Sequence, residues 1–506
     1  MSQIKKGAIL NYLTIILTNI VGLLLTPFII SKLGDSEFGL YTLIGALVGY
    51  ISILDFGLSN TIIRFVAKFK AENDRKGEEN FLATSMIIYI IISILVIIIG
   101  TLCYFKIEDI FKNSLTFEQI DRAKIMFIIL IFNLAISLPG GTFNGICLGY
   151  EQFVFPKTVN IIRYIVRSFT IVAVLLLGGK AISMVIVDTI LNIAIGTINA
   201  YYVFRKLNVR IKLHYLDKSL MKEIFHYSIW IFVWVLVGQF QWQIGQMVLG
   251  IMTNTTVVAI FSVGILLGTY YGAFSSAITG VFLPRATQMT VNNATPKELT
   301  DMMIKIGRIS FILLLYILGA FILYGKQFVF LWVGEIYYDS WRIGVIIMLG
   351  LTFPLAQYFG TSILEARGKI AFKAIIYLIF LIIGTGSGAL LVKNYGAIGM
   401  ISGSVSGMIL AQLFLNIYYY KMLELDMIRF FKELFSKSLI TFIFVLIIGY
   451  FINFIPGMGW INFIFKAMIY SLIFGLLFFN LGMIEYEKQL FSKPILEIIN
   501  KINRNR

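Results

Sequence analysis

Three ionisable side chains lie deep inside long apolar runs of this 506-residue chain, and they pose the question of its chemistry. Arg163 and Arg167 stand four residues apart in the run Thr158–Leu177, so a helix there puts both guanidinium groups on one face. Asp188 follows in the run Ile182–Phe204. A charge at the centre of a bilayer costs about 3 kcal/mol or more and ordinarily faces a partner or a cavity. By helical rise the arginines sit roughly 8 and 14 Å from one membrane face, and Asp188 about 9 Å from the other. One reading is an Arg167–Asp188 ion pair that locks the fifth and sixth runs together, with Arg163 snorkelling to the near head groups. The other is an inward-facing cationic patch for a phosphate, whose oxygens match the guanidinium fork.

A second polar concentration is Gly238-Gln239-Phe240-Gln241-Trp242-Gln243-Ile244-Gly245-Gln246, in the run Ile224–Ile251. On a continuous helix Gln239, Trp242, Gln243 and Gln246 share a face, and no carboxamide can face lipid unsatisfied. Interhelical hydrogen bonds of about 0.6 kcal/mol each would account for them. A cavity wall that reads sugar hydroxyls would account for their density as well. Tyr270 in Val257–Leu283 and Gln357 in Trp341–Leu364 reach comparable depths, and Asn11, Thr14 and Thr18 form a weaker polar face on Gly7–Ile30.

The elements that must position these groups are about fourteen apolar runs joined by short loops, each near the ~20 residues that a ~30 Å hydrocarbon layer requires. Hydrophobic residues make up 59% of the chain and charged residues only 13%, which leaves little room for a soluble domain. The reading is an all-α polytopic membrane protein. The first run is too long for a signal-peptide core and should be retained. Residues 205–223 form a charged linker between a first set of six runs (1–204) and a second (224–421). Two further runs lie within 422–484, and a basic tail, 485–506, closes the chain. Leu43–Gly49 and Ser262–Gly268 can be superposed, each with a Gly-x-x-x-Gly pair that permits close helix approach.

Net charge is +16, and Lys and Arg favour one set of loops by roughly three to one. The imbalance fixes topology, with both termini cytoplasmic, and meets anionic head groups; it does not call for nucleic acid. Cys103 and Cys147 lie inside apolar runs and form no disulfide framework. No phosphate-cradling Gly-x-x-x-x-Gly-Lys motif, His-x-x-x-His pair or carboxylate-rich loop is present, so neither a cofactor nor a metal is expected. The loops expected on the outer side are mostly short and contain few acids, unlike those of a membrane glycosyltransferase. Pro27, Pro354 and Pro139-Gly140-Gly141 fall inside runs, where freed backbone groups need polar surroundings.

The chain resembles the Wzx-type polysaccharide flippases of the multidrug/oligosaccharidyl-lipid/polysaccharide exporter superfamily. The resemblance rests on Pro27-Phe28-Ile29-Ile30-Ser31-Lys32-Leu33-Gly34 with Glu37-Phe38-Gly39-Leu40-Tyr41, and on Leu54-Asp55-Phe56-Gly57-Leu58-Ser59-Asn60 with Arg64. Asn144-Gly145 and Leu148-Gly149-Tyr150-Glu151-Gln152-Phe153 continue it. It implies two six-helix lobes related by a pseudo-twofold axis around a central cavity, plus two C-terminal helices, working by alternating access in a bacterial cytoplasmic membrane. It implies a lipid-linked oligosaccharide as cargo, no enzymatic step, and other polysaccharide-assembly proteins as partners beside the membrane lipids. On that reading Arg163 and Arg167 hold the diphosphate, and Arg64 and Arg285 guide it at the entrance. Gln239, Trp242, Gln243, Gln246, Tyr270 and Gln357 meet the sugars. The first run carries neither the arginine of lipid II flippases nor the acid of drug/cation antiporters. If H⁺ or Na⁺ is coupled, Asp188 or Asp55 must carry it. A drug/cation antiporter and a membrane-embedded O-antigen polymerase are the alternatives.

Overall fold

A computed structural model describes residues 3–215, 218–279, 283–490 and 492. Every regular element is helical, and twelve helices among the described residues are long and apolar enough to cross a membrane. This is an all-α multi-pass membrane protein. Large apolar side chains crowd the outside, Leu24, Phe105 and Leu177 among them, while Thr61, Ser85, Thr142 and Ser262 are buried. That inversion is what a lipid solvent dictates: apolar surface gains nothing by leaving it, and small polar residues mediate close helix contact.

The contacts divide the chain into two compact units, Met1–Val263 with Tyr377–Gly407, and Gly264–Ile376 with Met408–Arg506. The first unit begins with α1 (Gln3–Leu33), α2 (Asp35–Ile51), α3 (Leu58–Glu72) and α4 (Arg75–Phe111). It continues with α5 (Phe117–Gly149), α6 (Val154–Leu176), α7 (Ala181–Arg205), α8 (Lys218–Trp242) and α9 (Ile244–Met252). Next come α10 (Thr255–Thr279), α11 (Leu283–Val291), α12 (Pro296–Val333), α13 (Tyr338–Ala356) and α14 (Tyr358–Ala366). The chain then forms α15 (Ile370–Met422), α16 (Met427–Phe435), α17 (Ser438–Ile452) and α18 (Trp460–Leu477).

Local sequence explains where the helices start. Thr116 with Gln119, and Thr295 with Glu298, form reciprocal capping boxes ahead of α5 and α12, the latter with Pro296 in its first turn. Inside α5 the ring of Pro139 denies the Ala135 carbonyl its helical donor, and the Ser93 hydroxyl supplies one from α4 at 2.8 Å. The helix therefore runs on unbroken.

Five sequence-expected spans differ in detail. The second is interrupted at residues 52–57, where Phe56 and Gly57 take positive φ. The seventh breaks at Gln243 and the tenth at Gln357. The eleventh and twelfth are one 53-residue element whose only non-helical residue is Gly396, at φ 54° and ψ −136°. That conformation suits glycine and turns the chain back on itself, because Gly384 and Gly388 lie directly against Gly403. The two Gly-x-x-x-Gly pairs are used differently. A Cβ on Gly264 or Gly268 would press within 2.5 Å of Ile343 or Ile347, whereas nothing stands within 4 Å of Gly45.

Candidate functional site

α6 carries both span arginines, and the structure gives them different surroundings. Arg163 lines a cleft of about 620 Å³ in the first unit with Asn144 of α5, Asn160 of its own helix, and Asn192 and Asn199 of α7. The cleft wall includes Pro139-Gly140-Gly141. Gly140 and Gly196 face each other there: a Cβ on either would meet the other's Cα at 3.8–3.9 Å. Among the described residues Arg163 makes no hydrogen bond or ion pair. Asn192 donates to Asn133 Oδ1 at 3.0 Å, but the buried Oδ1 of Asn199 has no donor. A guanidinium with five free donors, ringed by amides and a waiting acceptor, suits a ligand that carries both anionic oxygens and hydroxyls.

Arg167, one turn further on, is paired. Its Nε donates to Asp188 Oδ1 at 2.5 Å and its Nη2 to Oδ2 at 2.9 Å, a bidentate pair between α6 and α7. Tyr41 of α2 stands beside it. The Asp188→Ala variant should lose about 3 kcal/mol, because a buried charge is left without its partner. Adding Arg167→Ala should return most of that loss in thermal midpoint and membrane abundance. Additive losses in such a cycle would mean that the two residues act independently.

The glutamines of the seventh span belong to another surface. The break at Gln243, where φ is −111° and ψ −32°, falls within their expected face. Gln239 and Gln243 turn toward Gly49 of α2, whose Cβ would lie 3.4 Å from Gln239 Oε1 and 3.8 Å from Gln243 Cδ. Tyr50 donates to the Gln239 carbonyl at 3.1 Å, and the buried Gln239 Oε1 is unpaired. Gln246 is buried, and Trp242 is half-buried. None of these residues, nor Arg167, is among those lining the Arg163 cleft.

In the second unit, the buried Tyr270 hydroxyl has no partner. Gln357 sits at the α13–α14 junction, where its Oε1 accepts from Gln412, which also donates to Asn416 at 3.3 Å. Back in the first unit, Asp55 accepts from the Tyr89 hydroxyl at 3.1 Å, beside the 52–57 interruption. Arg64 is on the exposed face of α3, 6.0 Å from the Phe65 ring centroid. The Arg285 side chain lies outside the described residues. No cluster of three or more His, Cys, Asp or Glu that could hold a metal occurs among the described residues.

Hydropathy and charge do not single out Asn160, Asn192 and Asn199, although their spacing carries a signal. Asn192 and Asn199 are seven residues apart, two turns along one helix face, and Asn160 lies three before Arg163.

Comparison with known proteins accords with this architecture. Over 427 residues the chain is 23% identical to the "Putative O-antigen transporter" of Shigella flexneri, a match spanning 83% of this chain and 98% of that protein. The fold matches the lipid II flippase MurJ in its inward closed conformation, with a TM-score of 0.69 at 14% identity over 97% of this chain and 99% of the other. It also matches an inward-facing multidrug resistance MATE family transporter of the MOP superfamily, with a TM-score of 0.63 at 15% identity over 82% and 96% of the two chains. Residues 4–290, which hold the arginine-and-amide cleft and the interrupted glutamine span, match the family described as polysaccharide biosynthesis protein; to that family the chain belongs.

Proposed function

We propose that the protein is a flippase that carries a polyprenyl-diphosphate-linked oligosaccharide from the inner to the outer leaflet of a bacterial cytoplasmic membrane, for surface polysaccharide assembly. Both termini are cytoplasmic in this reading, and the site is exposed alternately to the two sides. The observation that carries it is the free guanidinium of Arg163 in an amide-lined cleft within membrane-spanning helices. An uncompensated cation at such depth marks an anionic ligand path. Arg163 takes the phosphate, and Asn144, Asn160 and Asn199 take phosphate oxygens and the first sugar hydroxyls. Arg167 holds α6 against α7 through Asp188 and so keeps Arg163 aimed. Gln239 and Gln243 present a second surface for hydroxyls further along the glycan. A cation-exporting role is less well supported, because Asp188 is already neutralised by Arg167.

Arg163→Ala should lower surface glycan display at least about tenfold, the cost of one charge-assisted contact, at unchanged membrane abundance. Arg163→Lys should retain part of the activity, since lysine keeps the charge but not the fork. Normal display by the alanine variant would remove the phosphate role.

A further inference from the structure

Lys466 lies six residues into α18, about 9 Å below the helix start by helical rise, and is only 5% exposed. A lysine near the end of a membrane helix commonly snorkels to water. This one turns inward. Among the described residues its Nζ reaches two acceptors, Gln327 Oε1 at 3.4 Å and the Asn453 carbonyl at 3.5 Å, both at the limit of hydrogen bonding. No carboxylate lies within ion-pair distance of it among the described residues. The amides around it are already committed: Gln327 Nε2 donates to Asn462 Oδ1 at 3.1 Å, and Asn462 Nδ2 to the Pro456 carbonyl at 2.9 Å. They hold the ammonium in place without neutralising it.

Lys466, Gln327 and Asn453 wall a pocket of about 780 Å³ within the second unit. Lys326, Gln327, Glu335, Tyr338, Asn453 and Lys466 supply its polar groups, and apolar side chains complete it. Two cations thus face one carboxylate. Lys326 is exposed, with its Nζ 4.8 Å from the Tyr338 ring centroid. The surrounding helix ends carry an aromatic cluster, with Phe328 stacked on Trp332 at 5.4 Å and Trp460 edge-on to Phe463 at 6.0 Å. Tryptophans so placed mark head-group depth. Side chains on α18 lean toward its N-terminus, which brings the Lys466 ammonium nearer that level than its Cα.

We propose that this pocket binds the phosphate of a lipid head group, with Lys466 as the buried cation, Lys326 as the cation at the mouth, and the apolar wall against the start of the acyl or prenyl chain. The phosphate of an anionic phospholipid and that of a polyprenyl diphosphate present the same chemistry. The site does not depend on the Arg163 cleft.

Titration of the purified full-length protein in a neutral detergent with fluorescent phosphatidylglycerol tests it. Saturable binding that raises the thermal midpoint is expected, with phosphatidylcholine much weaker. Lys466→Met should weaken phosphatidylglycerol binding about tenfold, and Lys466→Arg should restore most of it. Should the methionine variant fail to elute as folded protein, Lys326→Met decides, with an expected loss of about threefold. Equal binding of both lipids, Lys466→Met within twofold of the parent, or no effect of Lys326→Met where that variant decides, would overturn the proposal. Displacement of bound phosphatidylglycerol by farnesyl diphosphate identifies the source as translocated cargo; its failure identifies a resident phospholipid. Glycan display is not the readout, so this site can fail while the flippase reading stands.

Discussion

Arg308→Ala is expected to lower stability by roughly 3–5 kcal/mol, the range found when one partner of a buried ion pair is removed. Arg308 on α12 is 2% exposed and Glu487 only 1%. Every donor of the guanidinium is used. Its Nε and Nη2 donate to the two carboxylate oxygens of Glu487, at 2.6 and 3.1 Å. Its remaining hydrogens go to the carbonyls of Glu433, of Ser436 at 3.1 Å and of Gly482 at 3.1 Å. Glu487 also accepts from the Ile484 amide at 2.9 Å. Lysine cannot reproduce five bonds with three donors on one nitrogen, so Arg308→Lys should behave nearly as badly as alanine. The double variant Arg308→Met with Glu487→Met should recover only part of the loss, since three carbonyls remain without donors. Thermal midpoints of purified protein and fluorescence of a tagged membrane fraction would measure this. A stable Arg308→Ala protein would refute the latch.

Gly403→Val should nearly abolish membrane accumulation. A Cβ at that position would lie 2.3 Å from Gly388 N and 2.4 Å from its Cα, distances no real side chain tolerates. The obstacle is backbone, so no rotamer change can relieve it, and the arms of the α15 hairpin would have to part. Gly407, whose Cβ would come within 2.2 Å of the Phe380 carbonyl, and Gly384 extend the same seam. Overpacking alone costs about 1–3 kcal/mol, and separating the arms adds lost contact along their whole length. Gly386→Ala is the matched control, because nothing lies within 4 Å of that position. Accumulation of the two variants measured side by side as fluorescent fusions should differ several-fold. Equal levels would show that the seam is not where the helices meet.

The bilayer-spanning class and the family resemblance are legible in the sequence, and the Arg167–Asp188 pair is legible as one of two readings beside a diphosphate role for Arg167, because each rests on hydropathy or on residues close along the chain. Arg308 and Lys466 were harder to read. Both lie near the ends of apolar runs and pass for topology-setting charges. The partner that buries Arg308 is 179 residues away, a pairing that no periodicity encodes. The glutamine face was legible as composition but not as geometry, since nothing in Gln239–Gln246 announces a break at Gln243. Likewise Gly45/Gly49 and Gly264/Gly268 have the same spacing, yet only the latter pair meets a close neighbour on α13. Spacing tells which residues share a face; it does not tell what stands opposite.

Between the ends of α12 run two more polar ties, from Tyr324 to the Gly449 carbonyl at 2.7 Å and from Tyr470 to the Tyr316 carbonyl at 2.9 Å. With Glu487 gripping one extremity and Asn462 the other, α12, α17 and α18 behave as a single strut riveted along its length. Sliding one member past another would strand amides and carbonyls where no water can replace their partners. Any rearrangement within this unit that keeps these bonds must therefore carry the three helices together as one body.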